Sequence, residues 1–348
     1  MFLVSDLETP AVLIELDQVE HNIQWMQDAC NRLGVQFRPH IKTHKIPAIA
    51  QMQLDAGAVG VACQKTTEAA VFVEAGFKDI QIPYNVVGSA KTSRLAALAR
   101  HATITVTADS VPVIDGLAAA AQQANVTINV MVEIVGPNER TGAAADQAVA
   151  LAQHILAADG LHFAGVMIYP STPDVRPRLQ AALQSLADHR IPVKTISGGG
   201  FGALGTADQM PELTELRIGT YVFADWRSVS SGWATLGQCA MTIRATVVSA
   251  NDPARVILDS GSKTLAADSY DGLHGYIVEY PDARLHRVNE EHGFVDMTAC
   301  DSVPAVGDVV HVIPIHTCVV TNLHDKIYGV RGDHVEQVFA VAARGRVW

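Results

Sequence analysis

Four stretches of the sequence carry residue types that could do chemistry together. The first is Arg38-Pro39-His40-Ile41-Lys42-Thr43-His44-Lys45. In an extended segment alternate residues share a face, so Arg38, His40 and Lys42 are expected on one side. An ammonium held inside a protein is costly unless it is used, and an amine in such a place can form a Schiff base with an aldehyde. The plain alternative is a solvated strand-to-helix loop made by Lys42, His44 and Lys45.

The second stretch is Ser197-Gly198-Gly199-Gly200-Phe201-Gly202. Consecutive glycines let the backbone approach an anion and offer several N–H groups at once, and Ser197, Thr220 or Tyr221 could add hydroxyls. A glycine run alone is a weak signal. A nucleotide-dependent oxidoreductase would need GxGxxG after the first strand, and none is present. An amine suited to an aldehyde, combined with a nest suited to a phosphate, suggests pyridoxal phosphate.

The third stretch, Gly136-Pro137-Asn138-Glu139-Arg140-Thr141-Gly142, offers Arg140 as a permanent cation for the cofactor's phenolic oxygen, or as a surface residue in a glycine-rich turn. The fourth is Pro314-Ile315-His316-Thr317-Cys318. If extended, it turns His316 and Cys318 to one face, where an imidazole and a thiolate could share a zinc-like ion and leave positions for water and a substrate oxygen. The alternative is a half-buried histidine beside a buried thiol. His292 could also serve as acid, base or supporting partner, but its spacing does not decide this.

The elements that must position these residues follow from periodicity. Short apolar runs occur at Val35 to Ile41, Val59 to Cys63, Ile80 to Tyr84, Thr103 to Thr107, Thr127 to Ile134, His162 to Tyr169, Val193 to Ile196 and Glu215 to Arg217. Ala-rich segments such as Ser110 to Ala124, Ala145 to Ala158 and Pro177 to His189 lie between them with helical spacing. Alternating strands and helices of this number predict an α/β fold with an N-terminal (β/α)8 TIM-type barrel; an open doubly wound sheet is the competing arrangement. In a barrel, active sites lie at the C-terminal ends of the strands and phosphates at the loops after strands seven and eight. The glycine run follows the seventh apolar run and Gly219-Thr220-Tyr221 follows the eighth.

After Leu236 the pattern changes. Met241 to Ala250, Arg255 to Leu258, Val309 to Ile315, Val319 to Leu323 and Lys326 to Val330 are β-branched runs separated by turn residues, which predicts a C-terminal antiparallel β domain. The expected division is residues 1–235 for the barrel and 236–348 for the β domain.

Of the 348 residues 49% are apolar and 18% charged, enough for a sizeable core. Thirty-six acidic residues against 25 basic ones, for a net charge of -11 and with no basic stripe, argue against nucleic acid as a partner. No apolar run approaches the roughly 18 residues that cross a bilayer. Met1 to Asp6 lacks the succession of a signal peptide, so a cytoplasmic address and no membrane partner are expected. Five cysteines without a CxxC pair argue against a disulfide framework.

Taken in order, Arg38 to Lys45, Ser197 to Gly200, Glu215 to Tyr221, Asp259-Ser260-Gly261-Ser262-Lys263, Glu290-Glu291-His292-Gly293 and His316-Thr317-Cys318 resemble the D-threonine aldolase and D-serine dehydratase group. The resemblance implies the alanine-racemase fold, an N-terminal barrel carrying pyridoxal 5'-phosphate and a C-terminal β domain, assembled as a homodimer. It implies that Lys42, directly after Pro-His-x, is the Schiff-base lysine. Arg140 would face the cofactor, Tyr169 would lie near the pyridine ring, and Ser197, Gly198, Gly199, Gly200 and Tyr221 would lie around the phosphate. Gln64 would sit close to the cofactor. His316 and Cys318 would hold a divalent metal, zinc or manganese, with Lys42 and His316 as the catalytic pair.

The implied reaction is cleavage of a D-3-hydroxy amino acid to glycine and an aldehyde. Its alternatives are dehydration to a keto acid and ammonia, or a pyridoxal-phosphate-binding protein without catalysis. One departure bears on the substrate: many relatives continue Tyr169 with a Gly-His type loop, whereas this chain reads Tyr169-Pro170-Ser171-Thr172-Pro173.

Overall fold

A computed structural model describes residues 2–348, and the chain divides into two compact units. One comprises residues 25–42, 49–219 and 346–348, the other residues up to 24, 43–48 and 220–345.

The first unit is built on eight parallel strands: Gln36–Phe37, Val61–Ala62, Asp79–Asn85, Thr103–Ala108, Ile128–Ile134, Leu161–Ile168, Thr195–Gly199 and Glu215–Arg217. Each strand from the second to the seventh pairs with its successor, and the eighth pairs with both the seventh and the first. A backbone bridge between His40 and Ala62 joins the first strand to the second. The ring therefore closes, and the open-sheet arrangement is ruled out. Helices cover the strands; in Val111–Ala124 the buried residues Val113, Ile114, Leu117 and Ala121 follow the helical period that packs one face inward.

The first strand is shorter than its apolar run. Pro39 supplies no N–H, and the chain turns into a 3-10 helix at Ile41–Thr43. Lys42 therefore sits on a turn beyond the strand rather than on the strand itself.

The second unit is a mixed sheet. Met241–Asp252 pairs antiparallel with Arg255–Leu258, with Val309–Pro314 and with Ala11–Glu15. Ala11–Glu15 also runs parallel to Lys326–Arg331, which forms a hairpin with His334–Ala340. The N-terminal segment thus belongs to this sheet, so the unit is discontinuous in sequence where a single cut at 235/236 was expected. The run AVLIE reads as a strand by itself, but nothing in it tells which distant strand it joins.

Val319 to Leu323, expected as a strand, lies in the α-helix Thr317–Leu323. Thr317, Val320 and Thr321 are buried there at spacings of three and four, so packing at the helical period overrides the β propensity of the run. Among the described residues no helix is long and apolar enough to cross a membrane, and none of the five cysteines is joined in a disulfide.

Candidate active site

Lys42 is half-buried, and its Nζ lies 3.5 Å from Gln64 Oε1. His40 reaches the same oxygen through Nε2 at 3.1 Å, while its Nδ1 accepts the Lys42 backbone N–H at 3.5 Å. The backbone N–H of Gln64 donates to Glu68 at 2.5 Å, which ties this residue to the following helix. Two elements therefore present Lys42, its own turn and the loop after the second strand.

A second cluster gathers Arg140, Tyr169 and the glycine run. The Arg140 guanidinium lies over the Tyr169 ring at 4.5 Å. Gly200 adopts a left-handed φ of 110°, and a Cβ there would meet Pro170 Cβ at 3.2 Å and Tyr169 Cε2 at 3.9 Å. The amides of the run are partly committed: Gly199 N–H donates to Ser171 Oγ at 3.0 Å and Gly200 N–H to the Arg217 carbonyl at 3.4 Å.

Ser197 differs from the expectation of a hydroxyl for an anion. It is buried in the barrel wall, donating to Glu215 at 2.6 Å and accepting from Arg217 Nε at 2.7 Å. Glu215 in turn receives Arg38 Nε at 2.7 Å, and Arg38 also pairs with Asp79 at 2.7 Å. Burial lowers Arg217 to about 10, opposed by Glu215, Tyr169 and Glu133. Burial likewise raises the Glu133 carboxyl; the Thr141 hydroxyl, Arg217 and Arg140 act the other way, while Asp109 adds to the rise.

The other unit holds His316, Cys318 and Tyr221. His316 precedes the helix Thr317–Leu323 and Cys318 lies in its first turn, so the two are joined by a helix start rather than by strand alternation. The neighbouring Cys318 thiol, with help from Asp268 and Asp225 and against burial, raises the His316 imidazole to about 9. His316 Nδ1 lies 2.9 Å from Asp268 Oδ2. Thr43, the residue after Lys42, places its hydroxyl 3.3 Å from Cys318 Sγ, with Thr220 at 4.0 Å. The buried Asp225 receives Thr317 N–H at 3.4 Å. Tyr221 is buried in the turn Thr220–Val222. Among the described residues no group of three His, Cys, Asp or Glu is arranged to hold a metal.

Other motifs have structural work. Gly261 abuts the carbonyls of Asn289 and Glu290 so closely that a Cβ would fall 2.3 Å and 2.5 Å from them, and Lys263 pairs with Glu290 and Glu291. Asp259 accepts from Thr246 N–H at 2.8 Å. His292 is exposed in a hairpin turn and does not join the His316 cluster. Residues not singled out from sequence are Asp268, Asp225, Thr43, Glu133 and Arg217. A signal existed for Arg217, since Glu215 and Arg217 must share a face of their strand; loop residue Asp268 carried none.

Comparison with known proteins fits both units. The family model for the alanine racemase N-terminal domain matches residues 14–225, and that for a serine dehydratase domain matches residues 240–330. A D-threonine aldolase from Arthrobacter sp is 35% identical over 98% of this chain and 94% of its own length. The chain belongs to the D-threonine aldolase and D-serine dehydratase family. A second member, a 3-hydroxy-D-aspartate aldolase from Paracoccus denitrificans, is 32% identical over 98% of this chain and 93% of its own length. The family also includes a D-threo-3-hydroxyaspartate dehydratase from Delftia, 27% identical over 90% of this chain and 91% of that one. The crystal structure of D-threonine aldolase from Filomicrobium marinum superposes with a TM-score of 0.90 at 34% identity, covering all of both chains. The alanine-racemase-like fold and the lyase family expected from the motifs are thus both found.

Proposed function

We propose that this chain is a lyase that cleaves the Cα–Cβ bond of a D-3-hydroxy amino acid to glycine and an aldehyde. In this reading Lys42 holds pyridoxal 5'-phosphate, and His316 with Cys318 holds a divalent ion, zinc or manganese. The observation that carries it is the placement of the His316 imidazole and the Cys318 thiol two residues apart at the start of one helix. Proton exchange at Cα alone needs no such donor pair, whereas a substrate with a 3-hydroxyl has an oxygen for it to work on. Full-length likeness to two aldolases at 35% and 32% favours cleavage over the dehydration carried out by the relative at 27%.

The residues present fit both groups. The Lys42 amine has the neutral amide oxygen of Gln64 at 3.5 Å. The Arg140–Tyr169 stack and the left-handed Gly200 line a surface where a side chain on the loop would intrude. An imidazole and a thiol form a borderline-soft donor set with open positions. Bound pyridoxal phosphate would supply an electron sink for the charge left at Cα. A bound divalent ion would supply Lewis acidity toward an oxygen.

The chain's own groups supply the rest. Lys42 Nζ provides the amine; cleavage requires that the 3-hydroxyl give its proton to a base as the Cα–Cβ bond breaks, and that a proton be returned to Cα to give glycine. Gln64 Oε1, held by His40, orients that amine. Arg140 gives a permanent cation and Tyr169 a flat apolar face. Gly198, Gly199 and Gly200 keep the loop flat enough for a phosphate to reach the opening turn of the helix Phe201–Gln209, and Ser197 braces Arg217 behind it. A homodimer in the cytoplasm, acting on a small D-amino acid, completes the reading.

Product analysis with D-threonine tests it. Glycine and acetaldehyde support cleavage. 2-Oxobutanoate and ammonia would replace it with dehydration, and an unreacted substrate with a visible absorbance that survives Lys42→Ala would reject both.

A further inference from the structure

We infer that Asp268 is a positioning residue that fixes the His316 ring for a divalent cation. This rests on the metal reading given above. His316 Nδ1 and Asp268 Oδ2 are 2.9 Å apart, and a carboxylate can only accept, so Nδ1 carries the proton. In the neutral ring the lone pair is then confined to Nε2, the nitrogen left for a metal. A carboxylate behind a ligating imidazole fixes the tautomer, sets the ring's rotation and raises its basicity.

The carboxylate is itself anchored. The Asp268 carbonyl accepts from His274 Nδ1 at 3.0 Å, which ties down the loop that follows the helix Ser262–Leu265. On the other side, Asp225 holds Thr317 N–H and is fixed by Ser228 N–H at 2.9 Å, so the backbone next to His316 is also tied. Stability does not account for the pair. The side chains are 32% and 43% exposed, a setting where an ion pair adds little to folding.

The test is the affinity of the full chain for Zn2+, measured by competition with a chromophoric chelator, in wild type, Asp268→Ala, Asp268→Asn and His316→Ala. Asp268→Ala is expected to weaken Zn2+ binding about 10- to 100-fold with an unchanged melting temperature. Asp268→Asn should lose less, because its carboxamide oxygen still accepts from Nδ1. Wild-type Zn2+ affinity in Asp268→Ala, with affinity lost in His316→Ala, overturns the role of Asp268 and leaves the metal reading intact. If wild type and His316→Ala bind Zn2+ equally, or neither binds it, the metal reading itself fails. Should the alanine variant not fold, the asparagine variant carries the test, and wild-type affinity in it overturns the inference.

Discussion

His40 and Lys42 meet on one atom, the Oε1 of Gln64, at 3.1 Å from the imidazole Nε2 and 3.5 Å from the lysine Nζ. Because His40 Nδ1 accepts the Lys42 N–H, Nε2 must be the protonated nitrogen and donates to Gln64. The amide of Gln64 is thereby held with its oxygen toward the amine. Gln64→Ala and His40→Ala should each weaken retention of pyridoxal phosphate by roughly tenfold, the value of about one hydrogen bond. Titration of the apoprotein followed by visible absorbance checks this; unchanged retention in both variants would show that the amide does not orient Lys42.

The buried pair Arg38–Glu215 makes a prediction about stability. Removing one member strands the other's charge in the wall, at a cost of about 3–5 kcal/mol. Arg38→Met is therefore expected to lower unfolding stability by that amount in urea, and Arg38→Met with Glu215→Gln to recover part of it. Gly60 belongs to the same arrangement: a Cβ there would lie 2.4 Å from Arg38 Nη1, so Gly60→Ala should show a weaker form of the same defect.

The barrel was legible because its signal is repetitive. Each strand and helix announced itself locally, and the barrel frame then put Arg140, Tyr169 and the glycine loop at one end. What stayed hidden depended on partners far away in sequence. Ala11–Glu15 gives no hint that it pairs with Met241–Asp252, and Asp268 is one acidic loop residue among many. In sequence a hydroxyl beside glycines suits an anion, and only the fold shows Ser197 bonded between Glu215 and Arg217. His316 and Cys318 were paired on the wrong geometry, since a helix start brings i and i+2 together as well as a strand does here.

Gly136 explains how Arg140 is aimed. A Cβ at Gly136 would lie 2.0 Å from the Tyr169 carbonyl oxygen, a backbone atom that cannot yield without moving the ring Arg140 stacks on. Gly136→Ala should cost about 1–3 kcal/mol of stability, as overpacking does, and reduce turnover along with it. Gly205, with nothing within 4 Å of an added Cβ, is the control, and Gly205→Ala should leave turnover unchanged. Equal effects from the two substitutions would remove the argument.

Glu133 sets a pH dependence. Burial raises its carboxyl above the ordinary 4.5, more than Thr141, Arg217 and Arg140 pull it down. A carboxyl with a raised folded pKa binds its proton more tightly in the native state, so its contribution to stability is fully present below the unfolded value and is lost as pH rises through the folded one. Holding the side chain ionised, as pH rises above its folded value, is therefore a net burden in its buried setting. Glu133→Gln retains an oxygen for the Thr141 hydroxyl, 2.7 Å away in the native protein, and removes the charge. The variant should melt higher than wild type at pH 7, with the gap closing as pH falls toward 4. A gap that stays constant across that range would mean that the carboxyl acts through its shape or hydrogen bonds and not through its ionisation.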